Sequence, residues 1–514
     1  MYIMGDIIAE CKRPRSKEAP AKRIEGTDVA NGRQFVADHG DAVRFVADWS
    51  CWVVFDGRHW VSDRSGTLIE ALAKQTTDGM VDRALARLGA AIKEGAGAGL
   101  DGGKGAGLQA ARQAISNASK AQNIKAIGNM LHAARSEPDV VVALGREVFD
   151  TRPDLLNCPN GTVDLRTGEL RPHNRRDFLT RMCPTEYDPS ADRREYLQFL
   201  GRVFHGRPAV AEYVRRLSGY VATGETCDHS FHVFQGDGAN GKSVLLNLWT
   251  GVLGEGEYAH SAVPELLVNG GGERHPTELV GLQGARLAVC SESREDGRLD
   301  EAKLKALTSD DLVKARVMRQ DFFSFAPTHK LILATNYRPR VQGTDHGIWR
   351  RLRLVPFESR FWTEADRMVD AAGTRDEAFR ADPGLLDRLR GFAPGVLADM
   401  VQHATAFYAG GRTLTPPREV AGATAEYRRA EDVIGEFFRA RVRSDESGRA
   451  SASDLYAAFK EWCVAEGIGD VPTIQMFGRD AKKRFETRMQ SGMTRYRVRL
   501  LHPHAEQGGG LRGY

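Results

Sequence analysis

Cysteine is scarce and scattered. The seven cysteines, Cys11, Cys51, Cys158, Cys183, Cys227, Cys290 and Cys463, are odd in number, far apart and form no CxxC pair. That excludes a disulfide framework or a zinc ribbon and points to a reducing cytosol. No stretch approaches the roughly 18 uninterrupted apolar residues of a membrane span. The N-terminus mixes charges where a signal peptide would run from basic to apolar. A strong charge of one sign is also missing: the formal net charge is only +4. A polyanion-coating protein is therefore excluded, and contact with nucleic acid must come from local patches. There is no repeat of fixed period. A soluble, intracellular, non-membrane protein is expected.

What is present is ample apolar content, 41% of 514 residues, which implies about three or four domains. Residues 1–26 mix Lys12, Arg13, Arg15, Lys17, Lys22 and Arg23 with Pro14 and Pro20, and predict a disordered basic tail. Trp49–Phe55 and the residues around Asp56-Gly57 read as two strands about a tight turn. Helix is expected from Leu68 to about Lys93, a flexible Gly/Ala loop over 94–107, and helix again from Leu108 to about Arg135. Leu155–Leu170 reads as a compact hairpin. These segments form an expected N-terminal mixed α+β domain over 27–190.

From Phe231 to Phe357 the apolar runs Phe231–Phe234, Arg286–Cys290 and Lys330–Thr335 alternate with helical segments. This is the pattern of an α/β domain with a buried sheet, here bounded at 191–365. Helical extension and linker follow over 366–430, with Pro416-Pro417 near the end, then a last domain over 431–505 and a tail over 506–514.

Gly236, Asp237, Gly238, Ala239, Asn240, Gly241, Lys242 and Ser243 fit GxxxxGK[ST] between the strand Phe231–Phe234 and a helix from Val244. The chemistry explains the spacing. Glycines let successive backbone N–H groups turn around phosphates, and the helix N-terminus adds its positive end. Lys242 neutralises the outer phosphates, and the Ser243 hydroxyl is placed to ligate Mg²⁺. An ATPase also needs an acid at the end of a neighbouring strand, to hold the metal through water or polarise the attacking water, and Glu292 after Arg286–Cys290 is the candidate. Lys330–Asn336 ends a third strand in a polar residue suited to sensing the γ-phosphate. Arg350 or Arg351, 14 or 15 residues beyond Asn336, can reach a neighbouring subunit's γ-phosphate.

Taken together, the chain resembles superfamily 3 helicases, and more closely the phage and plasmid primase-helicase family related to the poxvirus primase-helicase. The resemblance rests on GDGANGKS (236–243), GARLAVCSE (284–292), LDEAKLKALTSDD (299–311), KLILATN (330–336) and GTDHGIWRRLRLVPF (343–357), in the family's order. It implies an α/β, AAA+-like phosphate-loop core and an ATP- and Mg²⁺-dependent helicase working as a homohexamer on single-stranded and forked DNA. It also implies a separate primase as partner and the cytoplasm of a bacterial host. Lys305, Lys314, Arg316 and Arg319 fall in the family's third motif and DNA-touching hairpin. Where the family often ends the second strand in two acids, this chain has Ser291 before Glu292. No paired-carboxylate and His signature precedes the motor region, so primer synthesis is not expected. Two other readings stay open: a DNA-binding initiator or remodeller without processive unwinding, and a helicase subunit of a primase complex.

Within 471–500 eight cations (Arg479, Lys482, Lys483, Arg484, Arg488, Arg495, Arg497, Arg499) face two acids (Asp480, Glu486). Ile474, Phe477, Ala481 and Phe485 keep an apolar helix face beneath Lys482, Lys483 and Arg484, and Tyr496–Leu500 alternates like a wing strand. A winged helix that meets duplex or forked DNA through Lys482, Lys483, Arg484, Arg495 and Arg497 is expected.

Overall fold

The computed structural model describes residues 25–97, 104–267, 276–291, 297–317, 322–341, 346–363, 376–468, 471–490 and 493–501. The expected tail over 1–26 lies outside them save for its last two residues, and the tail over 506–514 lies wholly outside. The chain forms two compact units, 1–189 and 190–514.

In the first unit α1 (Asp28–His39) starts where the Thr27 hydroxyl accepts from the Ala30 N–H, satisfying an N-terminal donor of the helix. The strands β1 (Val43–Val46), β2 (Cys51–Phe55) and β3 (Trp60–Asp63) form an antiparallel meander about the Asp56-Gly57 turn. Helices α2 (Thr67–Gly97), α3 (Lys104–Ala121) and α4 (Ile124–Ala134) follow. Strand β4 (Val141–Val142) joins the sheet parallel to β1. Phe35, Trp52, Ile69, Met130 and Val140 form the core. A separate three-stranded sheet holds β5 (Leu155–Cys158), β6 (Gly161–Asp164) and β7 (Glu169–Arg171).

Two expectations change here. Helix covers both ends of the Gly/Ala segment, 94–97 and 104–107, because alanine's helix preference offsets its glycines once α2 and α3 pair through Ala84, Ala114 and Ala118. The single helix expected over 108–135 is two, broken where Asn123 turns extended at the N-cap of α4.

The second unit begins with α5 (Arg194–Val203) and α6 (Pro208–Ala222). Its five strands are β8 (Phe231–Gln235), β9 (Ala259–Ala262), β10 (Leu287–Ser291), β13 (Lys330–Thr335) and β14 (Leu352–Pro356), with α7 (Lys242–Leu253) and α8 (Glu301–Leu307) between them. Between α8 and β13 a ribbon of β11 (Val313–Arg316) and β12 (Phe322–Phe325) stands outside the sheet. The short helix α9 (His346–Trp349) precedes β14. The sheet order is β14-β8-β13-β10-β9, and every neighbouring pair is parallel. Both faces are covered, so β13 is buried along its whole length and β8 along all but its last residue, which explains their continuous apolar runs.

Two buried cations tie this sheet to the end of α6. Arg286 donates to the Ala222 carbonyl and Lys330 to that of Thr223, where the helix presents unpaired acceptors. Burial drives the Lys330 pKa well down.

Helices α10 (Leu385–Arg390), α11 (Ala393–Ala409) and α12 (Arg418–Glu431) follow. Gly219 of α6 lets α11 approach, since a Cβ there would lie 2.5 Å from the Ala404 nitrogen. Residues 418–430, within the helical extension and linker read from the sequence, lie in a helix packed on the sheet: Tyr427 is fully buried edge-on to Trp349 at 5.3 Å. Thr424 Oγ1 accepts from Leu354 N at 3.0 Å.

The C-terminal part runs α13 (Val433–Arg441), β15 (Val442–Ser444), β16 (Ala450–Ser451), α14 (Ala452–Ala465), α15 (Ile474–Arg484), β17 (Thr487–Gln490), β18 (Met493–Tyr496) and β19 (Val498–Leu500). Its own core gathers Phe437, Phe438, Leu455, Phe459, Trp462, Phe477 and Tyr496.

Candidate functional site

Parallel register brings three strand ends to one place. Gln235 of β8 pairs with Thr335 of β13 on one side and Pro356 of β14 on the other. The residues one step further on are therefore Gly236, Asn336 and Phe357. This is the carboxyl edge of a parallel sheet, where ligands of such folds bind.

The segment 236–243 turns sharply there. Gly238 and Gly241 have φ of +96° and +85°, and Ala239 between them has +46°. These positive φ values fold the segment back on itself, and the Gly238 N–H donates to the Gly236 carbonyl at 2.9 Å. Gly236 is fixed by crowding: a Cβ there would lie 2.1 Å from the Phe357 carbonyl oxygen. The loop is braced by Phe361 N donating to Ala239 O at 2.7 Å and by Asn240 Nδ2 donating to Phe357 O at 3.3 Å.

Lys242 opens α7 and is 5% exposed. Its ammonium donates to Gly236 O at 2.6 Å, Asn240 Oδ1 at 3.1 Å and Asn336 Oδ1 at 3.2 Å. All three acceptors are neutral, and burial lowers the lysine pKa. Asp237 and Ser243 are exposed, and Val244 is half-buried in the first turn of α7. The structure thus brings Asn336 to Lys242. Glu292 lies outside the described residues, and β10, which ends at the exposed Ser291, is separated from β8 by β13.

The two candidate arginines differ. Arg350 is exposed in the turn after α9. Arg351 is 9% exposed, and its Nη1 donates to Gly347 O at 3.1 Å, turned back onto its own helix.

The candidate DNA contacts also divide. Lys314 is exposed on the ribbon opposite Ser324, and the Arg316 guanidinium sits 5.2 Å from the Phe322 ring centre. Lys305 is half-buried on α8, and Arg319 lies outside the described residues. On α15, Lys482 and Lys483 are exposed. Arg484 is drawn back into ion pairs with Asp432 at 2.9 Å and Asp480 at 3.0 Å. Arg497 pairs with Glu486 at 3.0 Å, and half-buried Arg495 donates to Arg449 O at 3.5 Å. The i,i+4 spacing made the Asp480–Arg484 pair visible in the sequence; the pairing with Asp432, 52 residues away, was not.

Parts of the chain match known protein families and curated proteins. A family model described as D5 N terminal like matches residues 32–205, and a family of unknown function matches 234–351. "Putative helicase L207/L206" of Acanthamoeba polyphaga mimivirus is 27% identical over 333 residues, 63% of this chain and 34% of that protein. "Putative helicase 022R" of Frog virus 3 is 28% identical over 289 residues, 52% of this chain and 28% of its own. "Putative primase C962R" of African swine fever virus (Tick/Malawi/Lil 20-1/1983) is 24% identical over 327 residues, 62% and 34% of the two chains. The chain therefore spans about a third of the length of the curated relatives it matches. Among solved structures, the apo NrS-1 C terminal region (305–718) aligns with a TM-score of 0.43 at 11% identity, covering 72% of this chain and 88% of that one.

Fold and loop together define an α/β protein carrying a phosphate-loop sequence at the carboxyl edge of a parallel sheet. By its family-model and curated matches, the chain is similar to viral proteins named as putative helicases and putative primases. Among the described residues no helix is long and apolar enough to cross a membrane.

Proposed function

We propose that this chain is an ATP-driven replicative DNA helicase of the superfamily 3, AAA+-like type, acting as a ring on single-stranded DNA. One observation carries the reading: Lys242, at the start of α7, meets Asn336, at the end of the strand next to β8. A lysine held by three neutral oxygens is poised to exchange them for phosphate oxygens, a stronger charge-assisted interaction. Asn336 is then released beside the outermost phosphate, the place from which a polar group senses the γ-phosphate or orients water.

The loop N–H groups would bind the phosphates and the Ser243 hydroxyl the metal. Mg²⁺ would supply charge neutralisation across the outer phosphates, and Glu292 would hold the metal through water or activate the attacking water. Arg350, the exposed one of the pair, is the proposed finger into a neighbouring subunit, which requires an oligomer and, by family, a hexamer. Lys314 and Arg316 on the β11–β12 ribbon would follow the DNA backbone. The order helix, strand, helix, helix, hairpin at the C-terminus supports a winged helix, with α15 offering Lys482 and Lys483 to forked or duplex DNA.

ATP turnover with and without single-stranded DNA, and fork unwinding in the same samples, test this for the wild type and Lys242→Ala. DNA-stimulated turnover and unwinding, both lost in the variant, are expected. Turnover without unwinding would replace the helicase with an initiator or remodeller, and absence of turnover would end the enzyme reading.

A further inference from the structure

Cys158 and Cys183 are 25 residues apart, both fully buried in the first unit, and their sulphurs touch at 3.5 Å. Both are free thiols. Cys158 ends β5, and Cys183 follows in the stretch that leads to the end of the unit at 189. A backbone bond lines up the two segments, with Cys183 N donating to Asn157 O at 3.0 Å. Two more join them a little further along: Asn160 Nδ2 donates to Tyr187 O at 2.9 Å, and Tyr187 N donates to Asn160 Oδ1 at 3.1 Å.

The surroundings keep the two sulphurs together. The buried Asn157 side chain is engaged at both ends: Oδ1 accepts from Thr162 Oγ1 at 3.1 Å and faces His173 Nδ1 at 3.0 Å, while Nδ2 donates to Arg58 O at 3.2 Å. Tyr187 OH donates to Gly168 O at 3.0 Å, and the Cys183 thiol lies 3.3 Å from the Thr185 carbonyl oxygen. Any two small apolar side chains would fill this space. Two thiols in contact add a chemistry that such residues lack. A disulfide needs about 2.05 Å between its sulphurs, so these have about 1.5 Å left to close, between backbones already joined by a hydrogen bond.

We propose that Cys158 and Cys183 form a redox modification site, which hydrogen peroxide converts to an intramolecular disulfide. One thiol, as its thiolate, attacks a peroxide oxygen: an S–O bond forms, the O–O bond breaks, and the released hydroxide takes up the thiol's proton to leave as water. The second thiol then attacks the sulfenic sulphur: the S–S bond forms, the S–O bond breaks, and a second water leaves. Two thiols thus give up two electrons and two protons, and one peroxide is reduced to two waters. Burial directs the outcome. A small neutral oxidant enters through local opening where a bulky thiol does not, and the nearest nucleophile to the sulfenic acid is the neighbour already in contact with it. The product closes a loop that contains β6 and β7 and fastens the last stretch of the first unit to β5, which stabilises the fold by restricting the unfolded chain.

The test treats the whole folded protein with hydrogen peroxide, raised until the exposed Cys227 reacts. Remaining thiols are alkylated after denaturation, and the unreduced digest is mapped by mass spectrometry. A pair of peptides joined through Cys158 and Cys183, two hydrogens lighter than its parts and separated again by dithiothreitol, is expected. Thermal unfolding of the first unit should rise by about 5–10 °C on oxidation and fall back on reduction. Neither Cys158→Ala nor Cys183→Ala should show that rise. Recovery of both residues as alkylated thiols once Cys227 is oxidised overturns the site, and so does a sulfinic acid or a crosslink to any other cysteine in place of the pair. A joined pair that forms only when peroxide is added to denatured protein overturns it as well, because the folded contact then plays no part. An equal rise in either variant overturns the crosslink as the source of the added stability.

Discussion

Gly236 and Gly238 stand two residues apart in the loop, yet a methyl group has opposite consequences at each. At Gly236 the new atom would meet the backbone carbonyl of Phe357 at 2.1 Å and Asn240 Nδ2 at 2.4 Å. Neither can yield without moving the end of β14 or the Asn240 bond that shapes the loop. At Gly238 the space is open and the only penalty is a left-handed φ of +96°, about 1–2 kcal/mol for an L side chain. Gly236→Ala should therefore abolish nucleotide binding, whereas Gly238→Ala should keep binding within about tenfold and lower stability by that small amount. Titration and thermal unfolding of both variants check this, and equal losses would show that the crowding around Gly236 is not what fixes the loop. The loop was readable from the sequence because its demands are local: glycines, lysine and serine at fixed spacing. The partner that Lys242 finds, Asn336, lies 94 residues away, and only the strand order brings it there.

At the scale of the element, α15 shows why counting cations overstates a binding face. Its apolar residues Phe477 and Ala481 are buried as the periodicity demands. The cations, however, serve two purposes. Arg484 ties α15 to the start of α13 through Asp432, and its second partner Asp480 has a side chain only 7% exposed, with burial pushing that carboxyl up. Removing the guanidinium leaves both acids without it, so Arg484→Ala should destabilise the C-terminal module by about 1–3 kcal/mol. Lys482→Ala and Lys483→Ala should leave its melting unchanged, and each should lower the slope of log affinity against log salt for duplex DNA by about one. A salt slope that falls for Arg484→Ala without any loss of stability would reverse this division. Legibility followed the range of the cause. The parallel strands and the α15 face follow from periodicity, whereas the pairing of α2 with α3 through alanines and the seating of α12 on β14 depend on contacts that no window of sequence contains.

For the whole molecule the central question is whether one chain completes its own catalytic site. Arg351 points back to Gly347 of its own helix, while Arg350 is exposed on the same turn. If Arg350 acts on a neighbour's nucleotide, then a subunit with a dead loop still carries a working finger, and a subunit without the finger still carries a working loop. Lys242→Ala and Arg350→Ala should each be inactive alone as ATPases. Mixed in equal amounts and allowed to exchange, they should regain up to about a quarter of wild-type turnover, because about one interface in four then joins an intact loop to an intact arginine. Arg351→Ala is the internal comparison: its side chain is buried in its own subunit, so its loss should appear first in thermal unfolding and should not be rescued by mixing. Absence of recovery for the Lys242→Ala and Arg350→Ala pair, with both proteins folded and assembled, would mean that Arg350 acts within its own chain or not at all, and the requirement for a ring would lose its physical basis.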